Sequence, residues 1–175
     1  MTYTSIAISG TVASGTSTAA KNAALKLNLK YISAGDFFRQ YCLTHNIPLY
    51  DKEQIPDPLD KKIDNDLAAL AQKGGYSIDG HYIGYFTRNM PQVLRVQLKC
   101  DYKTRIGRAL ARVHTHEETE EEIKLREKGL DMKFRRLYAT EDFLDPKFFD
   151  LIIDTTTKPQ EEVASEIAQK FKSPN

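Results

Sequence analysis

The chain is poor in cysteine, with two in 175 residues, and has no tryptophan. Cys42 and Cys100 each stand alone in a patterned apolar segment, and neither belongs to a C-x-x-C pair. A disulfide framework and a cysteine metal site are therefore excluded, and both residues are expected to be reduced core thiols. No apolar run approaches bilayer length, which excludes a membrane-spanning helix. Charge of one sign is also missing: 25 Lys and Arg stand against 24 Asp and Glu, a formal net charge of +1. A duplex-binding surface needs a basic excess, so long nucleic acid is not an expected partner. The opening MTYTSIAISG has no charged leader segment and reaches Gly10 before an apolar stretch can form, so a cytoplasmic protein is expected. Internal repeats and Gly/Ser- or Pro-rich linkers are absent too, which leaves a single domain over residues 1–175.

What is present is an alternation of strand and helix patterns, in a composition of 41% hydrophobic and 28% charged residues that is globular. Short β-favouring runs occur at 3–9, 30–33, 76–79, 93–100 and 149–154. Between them lie helical patterns: alanine-rich 16–28; Phe37, Phe38, Tyr41 and Cys42; Leu59 to Ala71, ending at Gly74-Gly75; Ile106, Leu110 and Val113; and Ile123 to Leu137. Residues 46–58, with three prolines, read as loop, and the acidic run Glu117–Glu122 reads as a helix start. A last helix has Pro159 in its first turn, with Val163, Ile167 and Phe171 on one face. Five strands alternating with helices predict an α/β three-layer sandwich around a five-stranded parallel sheet, whose ligands bind where the strands end.

The first strand ends in Gly10-Thr11-Val12-Ala13-Ser14-Gly15-Thr16-Ser17. This matches the phosphate-binding loop G-x-x-x-x-G-K-[ST] except at the lysine, where Thr16 stands. The glycines let backbone N–H groups curl around phosphate oxygens at the positive end of the next helix. Ser17 supplies the hydroxyl that the motif places on Mg²⁺, and Ser14, Thr16 and Thr18 are further donors. The missing ammonium would have followed β- and γ-phosphate charge, and losing one such donor costs about 2.7 to 4 kcal/mol. Lys21 lies five residues on, about 7.5 Å of rise and roughly 140° of rotation from Thr16, and is expected to point elsewhere.

Beyond the loop, YISAGDFFR at 31–39, and a strand ending in Asp79-Gly80, resemble the nucleoside monophosphate kinases, specifically the archaeal-type cytidylate kinases. The resemblance covers nearly the whole chain and implies a P-loop kinase fold with a helical acceptor-binding segment at about 36–73 and a lid at about 112–135. It implies ATP and Mg²⁺ as cofactors, nucleotides as the small-molecule partners, and a monomer. It places Asp36 and Arg39 at the acceptor phosphate, which suits the fixed fork of a guanidinium. It places Asp79 on the metal side with Ser17, and puts His81 where the family carries an arginine. Arg105, Arg108 and Arg112 share one helix face, which binds phosphate on lid closure or is simply a solvated basic face. Arg126 and Lys133, two turns apart, match a family arginine pair around the transferring phosphoryl group, and Lys133 is expected to compensate partly for the missing loop lysine. Thr155–Thr157 and Lys158 fall where related kinases hold adenine. His114 and His116 fall in the lid, with no third ligand nearby for zinc. The expected activity is ATP-dependent phosphorylation of a nucleoside monophosphate, CMP or dCMP first. The departures at Thr16, His81 and Lys133 leave open a nucleotide-binding protein with impaired catalysis, or a kinase for another small acceptor.

Overall fold

The computed structural model describes residues 2–111 and 118–173. Its order is β1 (Ser5–Gly10), α1 (Thr16–Leu27), β2 (Lys30–Ser33), α2 (Ala34–Thr44), α3 (Asp57–Lys73), β3 (Tyr76–Asp79), α4 (Ile83–Phe86), β4 (Val93–Lys99), α5 (Tyr102–Leu110), α6 (Glu120–Leu137), β5 (Leu151–Asp154) and α7 (Gln160–Lys172). Two 3-10 turns, Lys52–Gln54 and Pro146–Phe148, interrupt the loops. The strands form one parallel sheet in the order β2-β3-β1-β4-β5.

β1 is central, and all six of its residues are buried. Because strand side chains alternate, Ile6 and Ile8 face one layer and Ala7 the other. The first layer is α1 and α7, which bring Ala19, Ala20, Ala23, Val163 and Ile167 onto Ile6 and Ile8. Alanines on α1 let the helix lie close against the sheet. The second layer is α2, α3 and α4, which pack Ala34, Ile63, Leu67, Ala71 and Ile83 on Ala7 and Ile78. A third cluster joins the loop after β1 to α5 and α6, with Val12, Ile106, Ile123 and Phe134 at its centre. The expected three-layer α/β architecture is the observed one.

The element boundaries moved by a residue or two, as helix and strand ends do. Cys100 falls just past β4 and is only partly buried, unlike Cys42, so it is not the core thiol expected. Pro159 caps α7 from outside instead of occupying its first turn. The short helix α4 was not anticipated. It is held by Ser9, whose hydroxyl donates to the Gly80 carbonyl at 2.8 Å and accepts from the Gly84 N–H at 3.0 Å. The acidic run does start a helix. Thr119 and Glu122 form a reciprocal capping box at the head of α6, with Thr119 N–H donating to Glu122 at 2.7 Å and Glu122 N–H to Thr119 at 3.2 Å.

Candidate active site

The order of the sheet places the end of β1 beside the end of β3, so Gly10 and the Asp79-Gly80-His81 segment face one crevice. Gly10 cannot carry a side chain, since a Cβ there would lie 2.4 Å from Ser14 Oγ and 2.7 Å from the Leu98 carbonyl. Gly15 caps α1 in the left-handed region at φ +99°. Ala13 is also left-handed, at φ +64°, although it is not glycine. No side chain caps α1 and no acid sits in its first turn. Its opening N–H groups, with the positive end of the helix dipole, therefore remain available to an anion.

A cavity of about 450 Å³ opens over this loop. Gly10, Thr11, Val12, Ala13, Gly15, Thr16, Ser17 and Thr18 line it on one side, and Asp36, Arg39, Asp79, His81 and Arg126 on the other. Ser14 instead lines a second cavity of about 350 Å³, with Arg108, Thr155 and Lys158. A third, of about 90 Å³, lies among Phe38, Arg39, Lys52, Asp64, His81 and Arg126. The three run in series. Gly15 and Thr18 are shared by the first two, and Gly35, Arg39, His81 and Arg126 by the first and third.

Ser17 donates its hydroxyl to Asp79 Oδ2 at 2.6 Å, and Tyr31 donates to Oδ1 at 3.1 Å. Burial holds the Asp79 carboxyl above the usual range despite these hydroxyls, and burial together with Asp79 pushes the Tyr31 phenol up to about 12. Ser17 and Asp79 thus form a compact pair of hard oxygens. That is the donor set Mg²⁺ takes from protein when phosphates and waters complete its octahedron. Among the described residues no cluster of three or more His, Cys, Asp or Glu is placed to cage a metal.

Arg39 is ion-paired with Asp36, which caps into α2 through its N–H to Ser33 Oγ at 3.1 Å. Gly35 leaves the guanidinium room, because a Cβ there would stand 3.3 Å from it. Arg126 is paired with Glu118 at 2.9 Å. His81 Nδ1 lies 3.1 Å from the Gly10 carbonyl, so that nitrogen carries the proton and Nε2 is left as an acceptor. Burial, and then Arg126, depress its pKa to about 4, which keeps it neutral. His81 is therefore no electrical substitute for the arginine it replaces.

Three expectations need correction. Lys133 does not reach the loop. It is 1% exposed, ion-paired with Asp60, and donates to the Lys52 and Ile55 carbonyls at 2.8 and 2.5 Å. Its spacing from Arg126 gave the helix face but not the depth, and the 3-10 turn at Lys52–Gln54 covers it. Arg105 is neither a phosphate ligand nor solvated. It forks onto Glu127 at 2.7 and 3.0 Å and donates to the Val12 carbonyl at 3.3 Å, while Val12 N–H donates to Glu127 at 3.2 Å. Lys21 does not point away; it lines the central cavity. Arg108 donates to the Thr155 and Thr156 carbonyls at 2.8 and 3.1 Å, at the mouth of the second cavity. Arg112, His114 and His116 lie outside the described residues.

Tyr31, Lys52, Asp64 and Glu127 are functional-site neighbours that no sequence pattern marks. Lys52 is buried with its ammonium 4.0 Å from the Phe38 ring centre, and burial lowers its pKa. Asp64 accepts from Tyr138 at 2.7 Å, and burial raises it to about 7. A lone lysine in a proline-rich loop and a lone aspartate on a helix carry no periodic signal. Glu127 could have been found only by pairing it with Arg105 across α5 and α6.

A parallel sheet with a glycine turn at the end of its central strand, an open helix N-terminus and converging arginines defines a P-loop phosphotransferase. The solved structures agree on the fold. A shikimate kinase from Acinetobacter baumannii matches with a TM-score of 0.61 at 13% identity, over 97% of this chain and 93% of that one. A gluconokinase from Sinorhizobium meliloti matches at 0.60 and 16%, over 98% and 93%. The AAA domain family model matches residues 6–128. Among curated proteins, the cytidylate kinase of Sulfolobus acidocaldarius is 34% identical over 91% of this chain and 89% of its own length. That of Ignicoccus hospitalis is 32% identical over 94% and 96%. The chain belongs to the cytidylate kinase family, within the nucleoside monophosphate kinases. Among the described residues, no helix is long and apolar enough to cross a membrane.

Proposed function

We propose that this protein transfers the γ-phosphoryl group of ATP to a pyrimidine nucleoside monophosphate, CMP or dCMP, giving ADP and the nucleoside diphosphate. The observation that carries this reading is the series of three cavities, with the phosphate loop in the middle one and separate recesses on either side. The larger recess, at Arg108, Thr155 and Lys158, suits the donor nucleoside. The smaller one, at Phe38, Lys52 and Asp64, suits the acceptor base. The names of the relatives support the same class of acceptor.

In this reading the backbone of Gly10–Thr16 and the first turn of α1 hold the donor phosphates. Arg39 and Arg126 draw the acceptor phosphate toward them. An acceptor phosphate oxygen forms the new P–O bond while the bond to the β,γ-bridging oxygen breaks, and its electron pair leaves with ADP. The phosphate nucleophile needs no base, so the work of the chain is positioning and charge neutralisation. Ser17 and Asp79 would hold Mg²⁺, which neutralises phosphate charge when bound. His81 Nε2 offers an acceptor to a substrate N–H or O–H. Packing of α6 against Val12 covers one side of the loop.

The test is ADP release from ATP and Mg²⁺ with CMP, dCMP, UMP, AMP or GMP, using Arg39→Ala as control. Turnover with a pyrimidine monophosphate that falls at least a hundredfold in the variant is expected. Nucleotide binding without turnover for any acceptor overturns the reading.

A further inference from the structure

The site must neutralise transferring phosphate without the loop lysine, so the cations able to do so can be taken in turn. Lys133 is buried on Asp60, and Arg105 is forked onto Glu127. Of the three cations lining the central cavity, Arg39 is paired with Asp36 and Arg126 with Glu118. The third, Lys21, forms no ion pair among the described residues. Its ammonium rests 5.2 Å from the centre of the Tyr31 ring, a weak contact at an exposed site.

Lys21 stands four residues after Ser17, so both lie on one face of α1, about 6 Å of rise apart. Long side chains on a helix lean toward its N-terminus, which carries Lys21 back toward Ser17 and the phosphate loop. The cavity is lined by Ser17 and Lys21 of α1 together with Asp36 and Arg39. The holding group is also informative. Tyr31 spends its hydroxyl on Asp79 and offers Lys21 only its ring, so the ammonium is parked beside the site without being neutralised.

The geometry points to Lys21 as the cation that replaces the missing loop lysine, leaving the Tyr31 ring to neutralise the γ-phosphoryl group as it passes to the acceptor. This rests on the phosphoryl-transfer reading above. No proton moves through Lys21: the acceptor oxygen bonds to phosphorus, the β,γ-bridging oxygen leaves with its electron pair, and the ammonium stays protonated throughout.

A double-mutant cycle tests it. Lys21→Ala is expected to lower kcat about a hundredfold with a smaller change in KM for the acceptor, and Lys21→Arg to retain most of the rate. In a Thr16→Lys background, where the ammonium returns to its usual place, Lys21→Ala should cost less than about threefold. ATP binding by calorimetry, without acceptor, should weaken with Lys21→Ala and recover with Thr16→Lys, and thermal melting should show every variant folded. Unchanged kcat in Lys21→Ala, or an equal loss in both backgrounds, overturns the assignment. If wild type shows no turnover, phosphoryl transfer fails. Lys21 then stands as a phosphate ligand if ATP binding depends on it, and falls if ATP binding does not.

Discussion

The two flanks of the central cavity are built from different materials. The flank proposed for the donor is backbone: a glycine turn, an uncapped helix N-terminus, and a tie from Thr155 Oγ1 to the Ser14 carbonyl at 2.8 Å. The flank proposed for the acceptor is a buried network of polar and charged side chains, with Lys133 on Asp60, Lys52 on Phe38, and Tyr138 on Asp64. A backbone site tolerates a missing side chain, which is why Thr16 leaves the cradle intact. A network of buried charges tolerates no missing member, because each ion depends on its partner to offset lost hydration.

That contrast can be broken most decisively at Lys133. Lys133→Ala leaves Asp60 buried beside two unpaired carbonyls and should cost about 3 to 5 kcal/mol in urea unfolding. A loss below about 1 kcal/mol would mean that the network is not what holds the acceptor flank together.

The next effect is a dependence on pH. The Asp64 carboxyl keeps its proton up to about 7 when folded, whereas in the unfolded chain it releases it near 3.9. Between those values unfolding releases a proton, so the stability from this group is full at acid pH and falls as pH rises toward 7. Tyr138, Asp60, Lys52 and Lys133 set its surroundings. Asp64→Asn, which can still accept from Tyr138, should remove that slope in urea melts taken from pH 4.5 to 8. An identical slope in the variant would assign it to another group.

The smallest effect belongs to the donor flank. Gly15→Ala meets no neighbour within 4 Å, so its cost is conformational only. It should lose about 1 to 2 kcal/mol, for a left-handed residue with a Cβ. ATP affinity, read by calorimetry, should fall with it if the residue relaxes out of its left-handed conformation. A fully neutral result would show that the loop tolerates a side chain there as it does at Ala13.

The same division explains what could be read from the sequence. Gly10 and Gly15 announce themselves, because a close approach and a left-handed backbone restrict the residue type at a fixed spacing. The five strands and the layers around them follow from alternation and helical period, down to a residue or two at their ends. Asp36, Arg39 and Asp79 were read through the family resemblance, and the structure brings all three to the central cavity. Lys52, Asp64 and Tyr31 were not, since each is defined by a partner far along the chain. Lys133 and Lys21 were misread in opposite directions for one reason. Spacing gives the angle around a helix, whereas the reach and depth of a long side chain depend on what packs over it.

The fork of Arg105 on Glu127 has a mechanical consequence. Glu127 rides on α6 yet holds the N–H of Val12 within the phosphate loop, and Arg105 holds the carbonyl of the same residue from α5. Any displacement of α6 takes the acceptor of that amide away, so the loop and the helix are tied together at Val12. The exchange rate of one backbone proton, on Val12, would therefore report any opening of that contact.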